Sequence, residues 1–131
     1  MPLSKLTAKE LMQGDIKTIS KDITVLKAAK MMHELGVSSF VIEPDDSSDA
    51  YGIVTRKDIV ELFYGEGLNA EMFSVDDIMT KPAITIDGNL SIYHCHQMMR
   101  MVGVRRLPVI IEGKLAGILS NSDIFEQLVT S

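Results

Sequence analysis

The chain has 131 residues, which is the size of one ordinary domain, and 46% of them are hydrophobic. Its charge is mildly acidic, with 18 Asp and Glu against 13 Lys and Arg, and the lack of a basic run argues against nucleic-acid binding. No apolar run approaches the roughly 18 residues of a membrane span, and the single cysteine, Cys95, cannot form an intramolecular disulfide, so a cytoplasmic protein is expected.

The first part of the chain predicts helices and short strands in a regular order. A short helix after Ser4 or Thr7 precedes an extended piece and a long amphipathic helix, which Gly36 ends in the left-handed conformation. Two strands separated by an acidic turn follow, and a helix closes the series. The stretches are, in order, TAKELMQ, IKTI, TVLKAAKMMHEL, SSFVI, YGIVT and RKDIVELFYG.

The second part of the chain repeats that order. Its opening helix follows Ser74, and its long helix ends at Gly103. The stretches are, in order, VDDIMT, AITI, LSIYHCHQMMRMV, RRLPVI, LAGILS and NSDIFEQLV.

The two copies differ in length only at the turn between their strands. Met12 corresponds to Met79, 67 positions later, whereas Gly52 corresponds to Gly117, 65 positions later. A duplicated structural unit tolerates such a change in a loop. We therefore predict an α/β (α+β) fold of two β-α-β-β-α repeats that share one core. The predicted bounds are 6–64 for the first repeat, 65–73 for the linker and 74–129 for the second repeat.

Each copy closes with the same motif, GIVTRKD or GILSNSD. A Thr or Ser followed three residues later by an acidic residue is typical of a capping box, which would explain Asp58 and Asp123 as helix caps. A helix N-terminus also attracts anions, and a carboxylate beside it can accept two hydrogen bonds from the vicinal diol of a ribose. The residues alone leave both interpretations open, and capping does not explain the glycine three residues before each hydroxyl.

Together, these features resemble a tandem pair of CBS domains, the Bateman module. The resemblance rests on the duplicated order of an extended T-I, a helix, GVRRLPVI and the closing motif, and it runs from about Leu6 to Val129. It implies two repeats packed about a pseudo-twofold axis, with two clefts that bind adenosine derivatives. The implied ligand is AMP, ADP or ATP, with S-adenosylmethionine or NAD as further members of the class, and the motif aspartate takes the ribose hydroxyls.

The resemblance also assigns binding residues by position. One cleft would combine Thr55, Arg56 and Asp58 with Ile84, Thr85, Arg105 and Arg106. The other would combine Ser120, Asn121 and Asp123 with Lys17, Thr18, Ser38 and Ser39. Because guanidinium groups match phosphate oxygens, we expect a phosphorylated ligand to prefer the Asp58 cleft. The alternative is that Arg105 and Arg106 are solvated or paired with carboxylates at the end of a strand. The first copy lacks the proline that the second carries at Pro108, which weakens the match of the other cleft.

The resemblance implies a regulatory module that senses an adenine nucleotide and is not an enzyme. Little chain lies outside the repeats, so the output is expected to pass through an effector protein. The nine methionines and the high apolar share indicate a surface that faces another subunit, and the family pairs its modules through such helices, so a homodimer is expected. The alternative is a structural dimerisation module with empty clefts, in which both motif aspartates serve only as caps.

Metal binding and catalysis are not indicated. His94 and His96 lie about 200° apart on a helix, so they cannot easily share one ion. The acidic stretch EPDDSSD lacks the Gly and Glu of a calcium loop and is predicted to be a solvated turn. No Ser-His-Asp order, Walker loop or carboxylate pair predicts catalysis, and Cys95 would need an activating neighbour on its own helix face.

Overall fold

The structure, a computed structural model, describes residues 5–130 and has the predicted mixed α+β architecture. Ser4, one of the two predicted caps of the first helix, lies outside the described residues. The helices are α1 (Ala8–Leu11), α2 (Val25–Leu35), α3 (Arg56–Val60), α4 (Val75–Ile78), α5 (Ile92–Val102) and α6 (Asn121–Thr130), and Glu61–Gly65 continues α3 as a π-helix. The strands are β1 (Ser39–Ile42), β2 (Gly52–Thr55), β3 (Ile86–Asp87), β4 (Arg106–Ile111) and β5 (Lys114–Ser120).

The chain divides into two compact units that do not coincide with the two sequence copies. The central unit, Lys17–Ala83, contains α2, β1, β2, α3 and α4. The terminal unit combines the described parts of Met1–Ile16 and Ile84–Ser131 and contains α1, β3, α5, β4, β5 and α6. The short opening helix of each copy therefore belongs to the unit that the other copy builds.

Backbone pairing joins each opening helix to its unit. The cap of α1, Thr7, pairs antiparallel with Ser91, the cap of α5, and the cap of α4, Ser74, pairs in the same way with Thr24, the cap of α2. The amide groups at a helix start lack partners inside the helix. One short contact thus satisfies backbone groups at two helix starts at once.

The long helices begin and end where the sequence predicts. The Thr24 hydroxyl accepts a hydrogen bond from the Lys27 amide at 3.1 Å, and Gly36 ends α2 with φ at 68°. In the terminal unit, α5 follows Ser91 and ends at Gly103 with φ at 71°. Glycine adopts this left-handed conformation without the steric cost that a side chain would add.

Each unit carries one small sheet. In the central unit, β1 and β2 form an antiparallel pair, and the predicted extended piece IKTI contributes only an isolated parallel bridge between Thr18 and Val41. In the terminal unit the strand order is β3-β4-β5, with β3 parallel and β5 antiparallel to β4. Glu112 and Gly113 both have positive φ, as a tight type I′ hairpin turn requires.

Most of the buried side chains form two clusters, one within each unit, and not the one shared core that the sequence predicts. Each cluster includes one residue from the opening helix of the other copy. Val75 of α4 lies in the central cluster, and Ala8 of α1 lies in the terminal cluster. The central cluster comprises Val25, Ala28, Met32, Phe40, Ile42, Val54, Ile59, Leu62, Ala70 and Val75. The terminal cluster comprises Ala8, Ile86, Ile92, Cys95, Met99, Leu107, Val109 and Leu119.

Residues 65–73, predicted to be a linker, are packed into the central unit. Ala70 is fully buried, its carbonyl accepts a hydrogen bond from the Leu26 amide, and the Phe73 carbonyl accepts one from Val25. The predicted methionine stripe divides between core and surface, since Met32 and Met99 lie in the clusters while Met101 is exposed. Within residues 5–130, no helix is long and apolar enough to cross a membrane.

Candidate functional site

The first candidate site is the corner at which β2 runs into α3, here called the Asp58 corner (Thr55–Asp58). Oδ2 of Asp58 accepts hydrogen bonds from the Thr55 amide at 2.8 Å and from the Thr55 hydroxyl at 3.0 Å. The Asp58 amide in turn donates to the Thr55 hydroxyl at 3.3 Å. This reciprocal pair is the predicted capping box, and it fixes a partly buried carboxylate at the end of the strand.

The second candidate site is the corner between β5 and α6, here called the Asp123 corner (Ser120–Asp123). Oδ2 of Asp123 accepts from the Ser120 amide at 2.8 Å and from its hydroxyl at 2.9 Å. The other oxygen, Oδ1, accepts a hydrogen bond from the Gln13 side-chain amide at 2.9 Å. Both oxygens of Asp123 are therefore engaged.

A third capping box shows what an aspartate does when it only caps a helix. At the start of α4, Oδ2 of Asp77 accepts from the Ser74 amide at 2.9 Å and from the Ser74 hydroxyl at 3.3 Å. The contacts are those of Asp58, but Ser74 follows an irregular segment and not a strand. Capping alone thus accounts for the carboxylate but not for the strand and the glycine that precede it in the two corners.

A second segment crosses the strand at the glycine of each motif, more tightly at Gly117 than at Gly52. A Cβ on Gly117 would lie 2.5 Å from the Met12 sulfur and 2.7 Å from the Gln13 carbonyl oxygen, and one on Gly52 would lie 3.0 Å from the Met79 sulfur. Contacts under about 3 Å force a shift of one group or the other. Packing of the segment after each opening helix therefore explains the glycine without a ligand.

Residues near each corner are held by equivalent backbone contacts. In the central unit, the Arg56 amide donates to the Ser38 carbonyl at 2.9 Å, and Ser39 pairs with Thr55 across the sheet. The Arg56 guanidinium donates to the Val37 carbonyl at 3.2 Å. This guanidinium is therefore anchored at the start of the strand.

In the terminal unit, the Asn121 amide donates to the Arg105 carbonyl at 2.8 Å, and Arg106 pairs with Ser120 across the sheet. The two arginines thus lie beside the Asp123 corner within their unit. Of the remaining predicted residues, Lys17 and Thr18 run beside β1, while Ile84 and Thr85 directly precede β3.

Each predicted cleft takes its residues from both compact units. Within the central unit the structure brings together Ser38, Ser39, Thr55, Arg56 and Asp58. Within the terminal unit it brings together Arg105, Arg106, Ser120, Asn121 and Asp123. Gln13 is not predicted from the sequence, where its one signal is the mismatch with Thr80 at the corresponding position of the second copy.

Metal ligands and a cysteine nucleophile are the alternative sites that the sequence raises. No group of three or more His, Cys, Asp and Glu side chains within residues 5–130 could hold a metal ion. Burial raises the pKa of the Cys95 thiol to about 11, which is the opposite of what a nucleophile needs. In the acidic turn, Asp45 and Asp49 form ion pairs with Lys21 and Lys81 at 2.7 and 2.8 Å.

Known proteins resemble this chain in sequence or in fold. The uncharacterized protein MK0525 of Methanopyrus kandleri is 30% identical over 125 residues, which are 95% of this chain and 63% of that protein. The hexameric CBS-CP12 protein of bloom-forming cyanobacteria is 35% identical, with a TM-score of 0.87 over 92% of this chain and 66% of that one. The chain thus spans slightly less than two thirds of both proteins.

A further solved structure shares the fold at lower identity. The CBS domain pair of protein MJ0100, solved with 5′-methylthioadenosine and S-adenosylmethionine, is 21% identical, with a TM-score of 0.79 over 94% of this chain. The profile of the CBS domain matches residues 8–65 and 75–130, which include both corners. The chain therefore belongs to the CBS domain family and carries two CBS domains in tandem.

Proposed function

We propose that this tandem CBS pair is a regulatory module that binds an adenine nucleotide, with AMP, ADP and ATP as the leading candidates, and relays its presence to a partner protein. The observation that carries the proposal is the Asp58 corner, where a partly buried carboxylate is held by its cap at the end of a strand. Both hydrogen bonds that Asp58 accepts end on Oδ2. Among the described residues, Oδ1 receives none and can accept a ribose hydroxyl.

The charge around the corner suits a phosphorylated ligand. Arg56 and Lys57 are exposed beside Asp58. Cationic side chains attract phosphate oxygens. We assign the following residues to nucleotide recognition: Thr55, Arg56, Asp58, Ile84, Thr85, Arg105, Arg106, Lys17, Thr18, Ser38, Ser39, Ser120, Asn121 and Asp123.

The family supports a regulatory and non-catalytic role. CBS-domain pairs are generally regulatory and bind adenosine ligands, and relatives that are named as enzymes carry the pair as one part of a longer chain. The MJ0100 pair holds two adenosine derivatives on the same fold. We extend the ligand class, an adenosine with a variable 5′ substituent, to this chain.

The second candidate function is a structural dimerisation module. It is favoured by the apolar side chains on the outer face of α6, where Phe125, Leu128 and Val129 are each more than half exposed. Exposed apolar groups that lie together mark interaction surfaces. We propose a homodimer in either case, and light scattering of the purified protein would test it by giving twice the chain mass, or the chain mass itself if the proposal is wrong.

A thermal-shift panel separates the two functions. Wild type is heated with AMP, ADP, ATP, S-adenosylmethionine or NAD, and a ligand at about 100 times its Kd should add about 2.7 kcal/mol to the free energy of unfolding. Asp58→Ala should abolish or reduce the shift. Asp77→Ala, which removes an equivalent cap in the same unit, should retain it. Equal shifts in both variants, or no shift in wild type at millimolar ligand, would leave the dimerisation module as the better description.

A further inference from the structure

We propose that Gln13 occupies the carboxylate of the Asp123 corner and thereby makes the Asp58 corner the preferred nucleotide site. The inference rests on the proposed function, since it concerns which of the two motif aspartates can receive a ribose. It assigns a specificity-determining role to a residue outside both closing motifs. It predicts unequal nucleotide affinity at two nearly identical motifs.

The hydrogen bonds at Asp123 leave no oxygen without a donor. Ser120 donates twice to Oδ2, at 2.8 and 2.9 Å, and Gln13 donates to Oδ1 at 2.9 Å. A ribose diol donates through two hydroxyls and needs room on the same carboxylate. A nucleotide at this corner must therefore displace the Gln13 amide or share its oxygen.

The backbone of Gln13 is fixed close to the corner. It pairs with Ile118 through two hydrogen bonds, at 2.9 and 3.0 Å, one residue after Gly117. The absence of a Cβ at Gly117 lets the Met12–Gln13 segment lie directly on β5. Because the backbone is held, the side chain loses little additional freedom when it reaches Asp123.

The central unit provides the matched comparison. Thr80 corresponds to Gln13 and pairs with Ile53 in the same way, through hydrogen bonds at 2.9 and 3.0 Å. Its side chain is shorter, and within the described part of the chain it makes no hydrogen bond to Asp58. The additional hydrogen bond to the Asp123 carboxylate therefore comes from one side chain on an otherwise equivalent backbone.

The expected consequence is a difference in affinity. Displacement of an exposed hydrogen bond between an amide and a carboxylate should weaken nucleotide binding at the Asp123 corner by about tenfold relative to the Asp58 corner. Because this hydrogen bond is exposed, we expect a smaller loss of affinity than a buried pair would cause. A substitution that removes the Gln13 side-chain amide should restore the tenfold affinity at the Asp123 corner and leave the Asp58 corner unchanged.

Isothermal titration calorimetry with AMP, ADP and ATP tests the inference. In wild type we expect a tighter site that is lost in Asp58→Ala and a weaker site that is lost in Asp123→Ala. Gln13→Ala should tighten the weaker site by about tenfold and leave the tighter site unchanged. Gln13→Met, which keeps the length of the side chain but removes the donor, should do the same, and Thr80→Ala should change neither Kd.

The outcomes that contradict the inference are distinct from those that contradict the proposed function. Equal Kd values at the two corners of wild type, or an unchanged or weaker second site in both Gln13 variants, would overturn the inference while nucleotide binding stands. The absence of binding in wild type and in every variant would overturn the proposed function and the inference with it. Binding that appears only in the Gln13 variants would show that the Asp58 corner receives no nucleotide, and it would also overturn the inference.

Discussion

At the scale of single residues, Asp58 and Asp77 make the same capping contacts at two helix starts of the central unit. Their difference lies in what precedes them, because Asp58 follows a strand and stands beside Arg56 and Lys57. A cap contributes to stability whether or not a ligand binds. The two carboxylates therefore allow capping and ligand binding to be measured separately.

We predict that Asp58→Ala and Asp77→Ala each lower the free energy of unfolding by about 1 kcal/mol in the absence of ligand, as is typical of a lost cap. Urea denaturation monitored by circular dichroism gives both values. A loss at Asp58 of several kcal/mol would mean that the carboxylate has a structural role beyond the cap.

Cys95 should be unreactive in the folded protein. Its side chain is fully buried in the terminal cluster, and a pKa of about 11 leaves roughly one thiol in a thousand ionised at about pH 8. A chromogenic disulfide reagent should label it slowly in buffer and completely in concentrated guanidinium chloride. Rapid labelling of the native state would contradict the packing of α5.

The pair formed by Asp49 and Lys81 should make stability depend on acid pH. The Lys81 ammonium, at 2.8 Å, and nearby backbone amides hold the pKa of Asp49 well below its ordinary value of 3.8. A depressed folded-state pKa stabilises the protein above the unfolded value, and the contribution is lost as the pH falls through the folded value.

Asp49→Asn should therefore destabilise the protein at about pH 7, and its difference from wild type should be smaller at about pH 3. Chemical denaturation at both values provides the measurement. Lys81→Met removes the same ion pair and should show the same trend, whereas a difference that stays constant with pH would contradict the account.

At the scale of elements, each closing strand is crossed by the segment that follows an opening helix. The crossing is tighter at Gly117, where the nearest atoms include the Gln13 backbone, than at Gly52, where the nearest atom is the sulfur of a flexible Met79 side chain. A side chain can move aside more easily than a backbone that is hydrogen-bonded to the strand.

Gly117→Ala should consequently destabilise the protein more than Gly52→Ala, by about 1–3 kcal/mol against less than about 1 kcal/mol. The midpoints of urea denaturation for the two variants give the comparison. Equal losses would show that the two crossings are packed alike.

The limits of the helices and strands could be predicted from the sequence because their signals are local. Thr24 and Gly36 delimit α2 by capping and by left-handed geometry, and both depend on neighbouring residues only. The bridge between Thr7 and Ser91 joins residues far apart in the chain, so the local pattern held no information about it. Gln13 was missed for the same reason, because an exposed glutamine after a short helix has no local signature.

At the scale of the whole molecule, each compact unit is built from both sequence copies. Val75 belongs to the second copy but lies in the central cluster with residues of the first, and Ala8 belongs to the first copy but lies in the terminal cluster. Neither copy alone holds a complete cluster. A substitution in an opening helix should therefore destabilise the unit that the other copy builds.

Val75→Ala should increase amide hydrogen exchange in α2, β1 and β2 more than in α5, β4 and β5, with a loss of about 2 kcal/mol from the cavity. Ala8→Ser, at the corresponding position, should show the reverse distribution by placing a hydroxyl in the terminal cluster. A rise in amide hydrogen exchange within the mutated copy would contradict the assignment of each opening helix to the unit that the other copy builds.

The central claim is that the Asp58 corner receives an adenine nucleotide. The most direct measurement is the Kd of wild type and of Asp58→Ala for the nucleotide that gives the largest thermal shift, with Asp77→Ala as the control. The account predicts that Asp58→Ala raises the Kd by about tenfold or more, while Asp77→Ala leaves it unchanged. A Kd that is the same in all three proteins would contradict the claim and assign Asp58 to the cap alone.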